Sequence, residues 1–289
     1  MSNAPHLPVM PTEIIGALAP QPGTWIIDGT FGAGGHTKLL LATGANVLGI
    51  DQDPSVQQFT DIAGAGEFRF AQGNFRDMET LAAGHGITAV HGVLLDLGVS
   101  SMQIDQDDRG FSFRQDGPLD MRMSGSGQSA ADIVNTSTME ELAALIWRYG
   151  EDRHSRRIAR SIVAAREEAP LTTTTQLADA VARAYPGGPR RDHPARRTFQ
   201  AIRIALNDEL GALQEGLEAA ARMLVPGGRL AILSYHSLED RIAKHFINDS
   251  PRLTRITKKP LAATEAEIAE NPRARAAKLR VAMRGAEHA

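Results

Sequence analysis

The sequence predicts an α/β fold in which a doubly wound parallel sheet carries a helical insertion. Two observations support it. A strand at 24–28 runs through a glycine-rich turn into a helix and a second strand at 46–51, which is a βαβ opening. Further strands are predicted at 68–72, 90–96 and 229–235, and a long, mainly helical segment separates the last two.

Helix signals are clear inside this segment. Thr138 and Glu141 form a capping box, and the helix that they begin extends to Gly150. Further helices are predicted at 152–168, 176–184 and 194–206. The segment between the fourth and fifth strands is therefore predicted to fold as a helical domain.

The predicted domain boundaries follow from this order of elements. We place the helical insertion at residues 105–203, so that the sheet domain is discontinuous and comprises residues 1–104 and 204–289. Two strand candidates after the insertion, 253–257 and 278–284, complete the sheet domain.

Composition excludes several classes of protein. The 289 residues are 42% hydrophobic and 22% charged, which excludes collagen, a coiled coil and wholesale disorder. The absence of cysteine excludes disulfides, thiolate metal sites and a cysteine nucleophile. Because the chain shows no membrane-length apolar stretch and no signal peptide, we expect a cytoplasmic protein with no membrane partner. The sequence makes no prediction of oligomeric state.

Charge is distributed unevenly along the chain. The net charge is -3, but residues 148–203 carry 12 Arg against 6 acidic residues, and residues 252–284 carry 9 basic against 3 acidic residues. Two basic segments in an acidic protein indicate a polyanionic partner, since arginine matches the geometry of phosphate. The alternative is that these arginines lie on solvated helix faces.

The glycine-rich turn indicates a nucleotide-type ligand. Gly32, Gly34 and Gly35 lie between the first strand and its helix, where glycine lets the backbone approach a ligand closely. A dinucleotide fingerprint starting at Gly32 would need a third glycine where Thr37 stands, so the turn favours S-adenosylmethionine. The alternatives are another nucleotide-binding α/β protein or a plain tight turn.

Three carboxylates are candidates for this site. Asp28 begins the turn, near the expected position of the ligand's amino-acid end. Asp51, 23 residues later, ends the second strand and can accept hydrogen bonds from both ribose hydroxyls, although a strand-end turn residue is an equal alternative. Asp96 ends the fourth strand, where a doubly wound sheet opens its ligand crevice.

Over nearly its whole length, the chain resembles the RsmH (MraW) family of bacterial 16S ribosomal RNA cytosine-N4 methyltransferases. The most specific blocks are residues 28–36, 94–101, 109–123, 193–201 and 234–241. The resemblance implies a Rossmann-like class I methyltransferase sheet with an inserted substrate-recognition domain. It also implies S-adenosylmethionine as cofactor and 16S ribosomal RNA in the small ribosomal subunit as partner. We expect no metal-ligating site residues, and the sequence leaves open whether the RNA geometry needs a divalent ion.

The resemblance also assigns cofactor contacts, which join Asp28 and Gly32 from the argument above. The residues that match the family's motif are Gly34, Gly35, His36, Asp51, Phe75, Asp96 and Gln103. Ala33 and the short stretch between Pro251 and Asn271 depart from the family's pattern, which affects only peripheral contacts.

The expected chemistry points to three catalytic candidates. The exocyclic amine of cytosine is a poor nucleophile because its lone pair is conjugated into the ring, so an acceptor such as Asp96 can draw it toward tetrahedral geometry and take its proton. Tyr235 and His236 end the fifth strand on the ligand side. The usual aromatic stacker of amino-methyltransferases is missing after Asp96, and Tyr235, His236, Phe111 or Phe113 could replace it.

Substrate-binding candidates lie in the insertion. Phe111 and Phe113 are candidate base platforms, with anchoring of their loop as the more common role of such residues. Arg196 and Arg197 begin a predicted helix and are candidates for RNA phosphate contact.

The leading hypothesis is therefore an S-adenosylmethionine-dependent methyltransferase for N4 of a cytidine in the decoding region of 16S ribosomal RNA. The alternatives are a methyltransferase for another nucleic acid and a non-catalytic ribosome-assembly factor that binds cofactor and RNA. A dehydrogenase is the weakest contender.

Overall fold

The computed structural model describes residues 7–185 and 193–286. The chain divides into two compact units. We call Met1–Gly98 with Leu210–Ala289 the sheet unit, and Val99–Glu209 the helical unit. Across the described residues, no helix is both long enough and apolar enough to cross a membrane.

The described strands form one sheet in the order β3-β2-β1-β4-β5-β8-β6, with β7 paired to β8. Strands β1 to β5 are parallel, and β8 is antiparallel to β5. Strand order reverses between β1 and β4, which confirms the predicted doubly wound sheet. The strands are β1 (Trp25–Asp28), β2 (Asn46–Asp51), β3 (Phe68–Gln72), β4 (Val90–Asp96), β5 (Leu224–Ser234), β6 (Leu253–Arg255), β7 (Leu261–Ala262) and β8 (Lys278–Arg284).

The helices fall into two sets. Helices α1 to α3, α11, α12 and all but the first residue of α10 belong to the sheet unit, and α4 to α9 belong to the helical unit. Their bounds are α1 (Pro11–Leu18), α2 (Gly35–Ala42), α3 (Met78–Gly84), α4 (Ser101–Asp105), α5 (Ala130–Thr136), α6 (Met139–Gly150), α7 (Ser155–Glu168), α8 (Thr174–Arg183), α9 (Arg196–Leu206), α10 (Glu209–Met223), α11 (Ser237–Asp249) and α12 (Glu265–Glu270).

The sheet is covered on both faces because successive side chains on a strand point to opposite sides. Ile27 and Leu95 pack in one buried cluster with residues of α3, α10 and α11. Their neighbours Ile26 and Leu94 pack in a second cluster with residues of α1 and α2. Each fully buried aliphatic side chain of this kind contributes about 1.5–3 kcal/mol to stability. The resulting rigid sheet fixes the strand ends at which the site is built.

Strand β5 differs from its prediction at its start. Pro226, Gly227 and Gly228 lie inside the strand and not before it. Pairing with β4 shifts in register between Val90 and Gly92, so the glycines form a bulge, and Gly227 has a φ of 81°. Because β5 ends at Ser234, Tyr235 lies just beyond the strand.

The helical unit has its own core, formed by residues of α5 to α9 such as Ile146, Ile158 and Ile202. Helix α6 begins at the predicted capping box, where the Thr138 hydroxyl accepts the Glu141 N–H at 3.2 Å. It ends at Gly150 as predicted and packs against α7 and α9.

Two helices start later than predicted, because polar side chains cap turns before them. The Asp152 carboxylate accepts the His154 N–H at 2.9 Å, so α7 begins only at Ser155. Nδ1 of His193 accepts the Ala195 N–H at 3.2 Å, and α9 begins after that turn. Such local side-chain bonds compete with helix formation.

Candidate active site

Three carboxylates mark one edge of the sheet. Asp28, Asp51 and Asp96 are the last residues of β1, β2 and β4. These strands are adjacent and parallel, so their carboxyl ends meet at the same edge, where ligands bind in open α/β sheets. The structure therefore brings the three predicted acids together.

The turn after β1 requires glycine for two reasons. Gly32 and Gly34 have φ of 53° and 73°, a left-handed conformation that other residues rarely adopt. A Cβ on Gly34 would also lie 2.6 Å from Cδ1 of Ile62 and 3.0 Å from the Phe31 ring. At Gly32 a Cβ would enter open space, with the Thr30 oxygen at 3.9 Å as its nearest described neighbour. This open space lies beside the acid at the end of β2.

Asp51 holds the turn through its carboxylate. Its Oδ2 accepts the Gly32 N–H at 2.8 Å, and its Oδ1 accepts the Asp53 N–H at 2.9 Å. Burial raises the pKa of Asp51 to about 6, although these two backbone donors lower it. Each carboxylate oxygen has a second lone pair, so Asp51 can still accept hydrogen bonds from a ligand.

Asp28 is buried and bonded to its own loop. It accepts the Thr37 hydroxyl at 2.7 Å and the Thr30 N–H at 3.3 Å. Burial raises the pKa of Asp28, and the nearby His36 lowers it in part. These contacts fasten the glycine turn to the start of α2.

The Asp96 carboxylate lies between two aromatic side chains. The Tyr235 hydroxyl donates to Oδ1 at 2.7 Å, and Nε2 of His36 lies 3.4 Å from Oδ2. The backbone N–H of Asp96 donates to the Thr30 hydroxyl at 2.7 Å, which fixes the end of β4 to the turn after β1. Burial and the Asp96 charge raise the pKa of Tyr235 well above 10, so its hydroxyl keeps its proton.

His36 has unused hydrogen-bonding capacity. Its ring is buried, and neither ring nitrogen makes a hydrogen bond with the described residues, although Nε2 lies 3.4 Å from Oδ2 of Asp96. Burial lowers the pKa of His36, but the Asp96 and Asp28 carboxylates outweigh it and the pKa is raised. A buried imidazole of this kind calls for a polar partner, which a bound ligand would supply.

His236 caps a helix. Its Nδ1 accepts the Glu239 N–H at 3.4 Å, while Oε2 of Glu239 accepts the N–H groups of Tyr235 at 2.8 Å and His236 at 3.2 Å. Helix α11 therefore starts with a capping box whose N-cap is His236. This capping box orients the segment that carries Tyr235.

Phe75 lies behind the glycine turn. A Cβ on Gly29 would lie 3.1 Å from Cβ of Phe75, and a Cβ on Gly216 would lie 2.4 Å from its ring. Phe75 thus fills the space between the end of β1 and α10, and it packs against the core of the sheet unit.

The remaining predicted residues belong to the helical unit. Oε1 of Gln103 accepts the Ser100 N–H at 3.1 Å in the capping box of α4. Phe113 stacks on His193 with ring centroids 4.6 Å apart and meets Phe199 edge-on at 5.1 Å. Phe111 also packs against the helical core.

Arg196 and Arg197 occupy the first turn of α9, and both are exposed. Nη1 of Arg197 donates to the Glu151 carbonyl at 3.1 Å, so this guanidinium also caps the end of α6.

Thr30 is a site residue that the sequence argument missed. Its backbone N–H donates to Asp28 and its hydroxyl accepts from Asp96, so it ties two of the three acids together. Its position inside the glycine turn, directly between Gly29 and Phe31, was the available signal.

A doubly wound sheet with a glycine turn after β1 and acids at the ends of β2 and β4 fits a class I methyltransferase, and the family match distinguishes this class from other nucleotide-binding α/β proteins. The chain belongs to the MraW methylase family, whose model matches residues 3–285. It is therefore a methyltransferase, and its cofactor is S-adenosylmethionine.

Relatives match over most of their length. "Ribosomal RNA small subunit methyltransferase H" of Deinococcus radiodurans is 59% identical over 281 residues, which cover 97% of this chain and 90% of the relative. The protein of the same name from Rhodospirillum centenum is 49% identical over 302 residues, covering 96% of this chain and 92% of the relative.

Two solved structures match at low sequence identity. An rRNA methylase from Streptococcus thermophilus is 11% identical with a TM-score of 0.44, covering 96% of this chain and 94% of that chain. TrmN from Thermus thermophilus is 10% identical with a TM-score of 0.45, covering 95% of this chain and 48% of that chain. The fold assignment comes from the strand order and the family membership.

Proposed function

We propose that this methyltransferase modifies the exocyclic N4 of a cytidine in the decoding region of 16S ribosomal RNA, within the small ribosomal subunit in the cytoplasm. The relatives' name, ribosomal RNA small subunit methyltransferase, supports the substrate class. The observation that carries the chemistry is the Asp96 carboxylate at the end of β4, held by Tyr235 on one oxygen.

The residues around the turn fit S-adenosylmethionine. The open space beside Gly32 and the unused nitrogens of His36 match a polar ligand that approaches the backbone closely. When bound, the cofactor supplies an electrophilic methyl group on a sulfonium. Asp51 would accept hydrogen bonds from the ribose hydroxyls. The other residues proposed to hold the cofactor are Asp28, Gly32, Gly34, Gly35, His36, Phe75, Asp96 and Gln103.

Asp96 activates the target amine in this proposal. Tyr235 donates to Oδ1, and Oδ2, which His36 approaches at 3.4 Å without a hydrogen bond, is the oxygen that would accept an N–H of the substrate. Accepting that N–H draws the nitrogen lone pair out of conjugation with the ring. The methyl group would leave the sulfonium sulfur, which keeps the electron pair of the broken bond. The nitrogen that receives the methyl group would lose a proton to the Asp96 carboxylate. Tyr235 stays protonated and keeps the carboxylate oriented, and His236 positions Tyr235 through the capping box.

The helical unit is proposed to bind the RNA. Arg196 and Arg197 offer guanidinium groups for phosphates at the start of α9. The contacts of Phe113 with His193 and Phe199 favour the anchoring role over base stacking for this loop, and Phe111 would support the same loop.

Methyl transfer from labelled S-adenosylmethionine to three substrates tests the proposal. Small ribosomal subunits that lack the modification, naked 16S ribosomal RNA and duplex DNA are compared, with Asp96→Asn as the inactive control. We expect transfer to the subunit above that to naked RNA, and none to DNA. Transfer to duplex DNA would support a methyltransferase for another nucleic acid. Cofactor binding and RNA protection without transfer would support an assembly factor.

A further inference from the structure

Trp147 is unusual because its large apolar side chain is left in solvent. It lies on α6 and is 61% exposed, the highest value among the exposed large hydrophobic residues of the described chain. Its neighbour on the helix, Ile146, is fully buried, so α6 is well packed and Trp147 lies on its outer face. A tryptophan in this position offers a flat aromatic surface to a partner.

Three helix ends meet near Trp147. Residues 151–154 join α6 to α7, and the two helices pack together, so the end of α6 and the start of α7 lie at one end of the pair. The start of α9 joins them, since a Cβ on Gly150 would lie 2.8 Å from the Arg197 carbonyl oxygen. We call the surface formed by residues 147–157 and 196–197 the arginine end.

The arginine end carries a large excess of positive charge. Its arginines are Arg148, Arg153, Arg156, Arg157, Arg196 and Arg197, and its acids are Glu151 and Asp152. Asp152 is buried and accepts the Tyr185 hydroxyl and the His154 N–H, so its charge is used inside the unit.

Three arginines of the arginine end are available to a partner. Arg148, Arg156 and Arg157 are exposed, and none of them forms an ion pair with a carboxylate of the described residues. Arg148 lies over the Tyr149 ring at 5.2 Å. Unpaired guanidinium groups around an exposed indole are the combination that binds phosphates and an unstacked base together.

We propose that the arginine end docks a single-stranded segment of ribosomal RNA, with Trp147 stacked on an unpaired base and the neighbouring arginines on the flanking phosphates. RNA fits better than a second copy of this chain, because two such surfaces would bring arginines against arginines. The proposal rests on the proposed function, since it names a contact that the same substrate makes away from the reacting base.

Tryptophan fluorescence tests the stacking directly. The chain has 2 tryptophans, so Trp25→Phe leaves Trp147 as the only one. Titrating this variant with 16S ribosomal RNA should quench its emission in a saturable way that high salt reverses, and duplex DNA should quench much less. Unchanged emission at RNA concentrations that saturate binding would overturn the proposal.

Kinetics separates this proposal from the proposed function. Trp147→Ala should raise KM for the RNA about tenfold, Trp147→Tyr should restore most of it, and affinity for S-adenosylhomocysteine should not change. Replacing Arg156 and Arg157 by Gln should reduce the salt slope of RNA binding by about 1.4, since each lost contact to a single strand accounts for about 0.7. Lys244→Gln on α11 is the control and should leave the slope unchanged.

The outcomes are distinct. If wild-type protein methylates ribosomal RNA but Trp147→Ala keeps its KM, the docking proposal is wrong and the proposed function stands. If Trp147→Ala instead abolishes self-association of the protein, the surface belongs to a second copy and the proposal is wrong. If RNA quenches the emission of Trp25→Phe but the wild-type protein transfers no methyl group, the proposed function fails and the docking site remains.

Discussion

At the scale of single residues, the chemistry depends on how one carboxylate is held. Tyr235 donates to Oδ1 of Asp96, and the backbone of Asp96 is tied to Thr30, so neither the side chain nor the strand end is free to turn. Preorganised groups of this kind need little reorganisation when the substrate arrives. The Tyr235 hydroxyl is therefore a positioning group, and its removal should act on turnover.

Tyr235→Phe should lower kcat about tenfold and leave the affinity for S-adenosylhomocysteine nearly unchanged, because the ring stays in place and only the hydrogen bond to Asp96 is lost. Single-turnover kinetics and calorimetry measure the two quantities. Tyr185→Phe is the matched control: it removes a hydroxyl bonded to Asp152 in the helical unit and should lower thermal stability while turnover stays unchanged. Equal losses of turnover in both variants would contradict the assignment.

Asp51 gives a prediction for pH. Its pKa of about 6 means that the carboxyl group is mostly protonated at pH 5 and mostly ionised at pH 7. The ionised form accepts hydrogen bonds from the ribose hydroxyls, so affinity for S-adenosylhomocysteine should rise roughly tenfold between pH 5 and pH 7. Calorimetry across this range should show a flatter profile for Asp51→Asn. An identical rise in the variant would assign the effect to a group other than Asp51.

The same shift has a consequence for stability. The folded state binds the Asp51 proton more tightly than the unfolded chain, whose carboxyl has its usual pKa of 3.8. The contribution of Asp51 to the free energy of unfolding is therefore greatest below about pH 4, and it falls as the pH rises through about 6. Denaturant unfolding of wild type and Asp51→Asn should show this difference, and a larger wild-type advantage at pH 7 than at pH 4 would contradict it.

At the scale of elements, the turn after β1 limits which residues can build the site. Gly34→Ala should lower both stability and cofactor affinity, by about 1–3 kcal/mol in stability, because the new Cβ would meet Ile62 and Phe31 in a left-handed conformation. Gly125→Ala is a close control, since its φ is 72° but nothing lies within 4 Å of the new Cβ. Thermal unfolding and S-adenosylhomocysteine titration measure both, and equal effects would show that backbone conformation alone matters.

Sequence patterns predicted the strands better than the helices. The bounds of β2, β3, β4 and β8 were predicted to the residue, because each is a run of strand-forming residues that ends in a polar turn. Helix α10 was missed, since Ala and Gly fill much of its buried face and give little contrast between apolar and polar positions. The bulge in β5 was missed for another reason: Pro226 to Gly228 usually end a strand, and here pairing with β4 resumes after them.

The sequence predicted those residues of the candidate site that are acidic and that end a strand. Asp28, Asp51 and Asp96 follow from the rule that parallel strands present their carboxyl ends together. The bond from Tyr235 to Asp96 joins residues 139 positions apart, and no local pattern encodes such a contact. The capping role of His236 also depends on where β5 ends. The sequence predicted that β5 ends at Tyr235, whereas the strand ends at Ser234, which leaves His236 free to cap α11.

At the scale of the whole molecule, positive charge is concentrated in residues 148–203, which carry 12 Arg against 6 acidic residues. Replacing Arg196 and Arg197 together by Gln should raise KM for the RNA and flatten its salt dependence, while affinity for S-adenosylhomocysteine stays unchanged. Because Arg197 also donates to the Glu151 carbonyl, the variant should lose about 1 kcal/mol of stability. Filter binding across salt concentrations and thermal unfolding measure these effects. A loss of cofactor affinity would mean that the two arginines serve the fold.

The central claim is that this site methylates the exocyclic nitrogen of a cytidine in small-subunit ribosomal RNA. Nucleoside mass spectrometry of 16S ribosomal RNA, after reaction of unmodified subunits with wild-type protein and isotopically labelled S-adenosylmethionine, tests it most directly. We predict labelled N4-methylcytidine with wild type and none with Asp96→Asn. Label on a ring carbon of cytosine or on another base, or no label while cofactor binding is intact, would contradict the account.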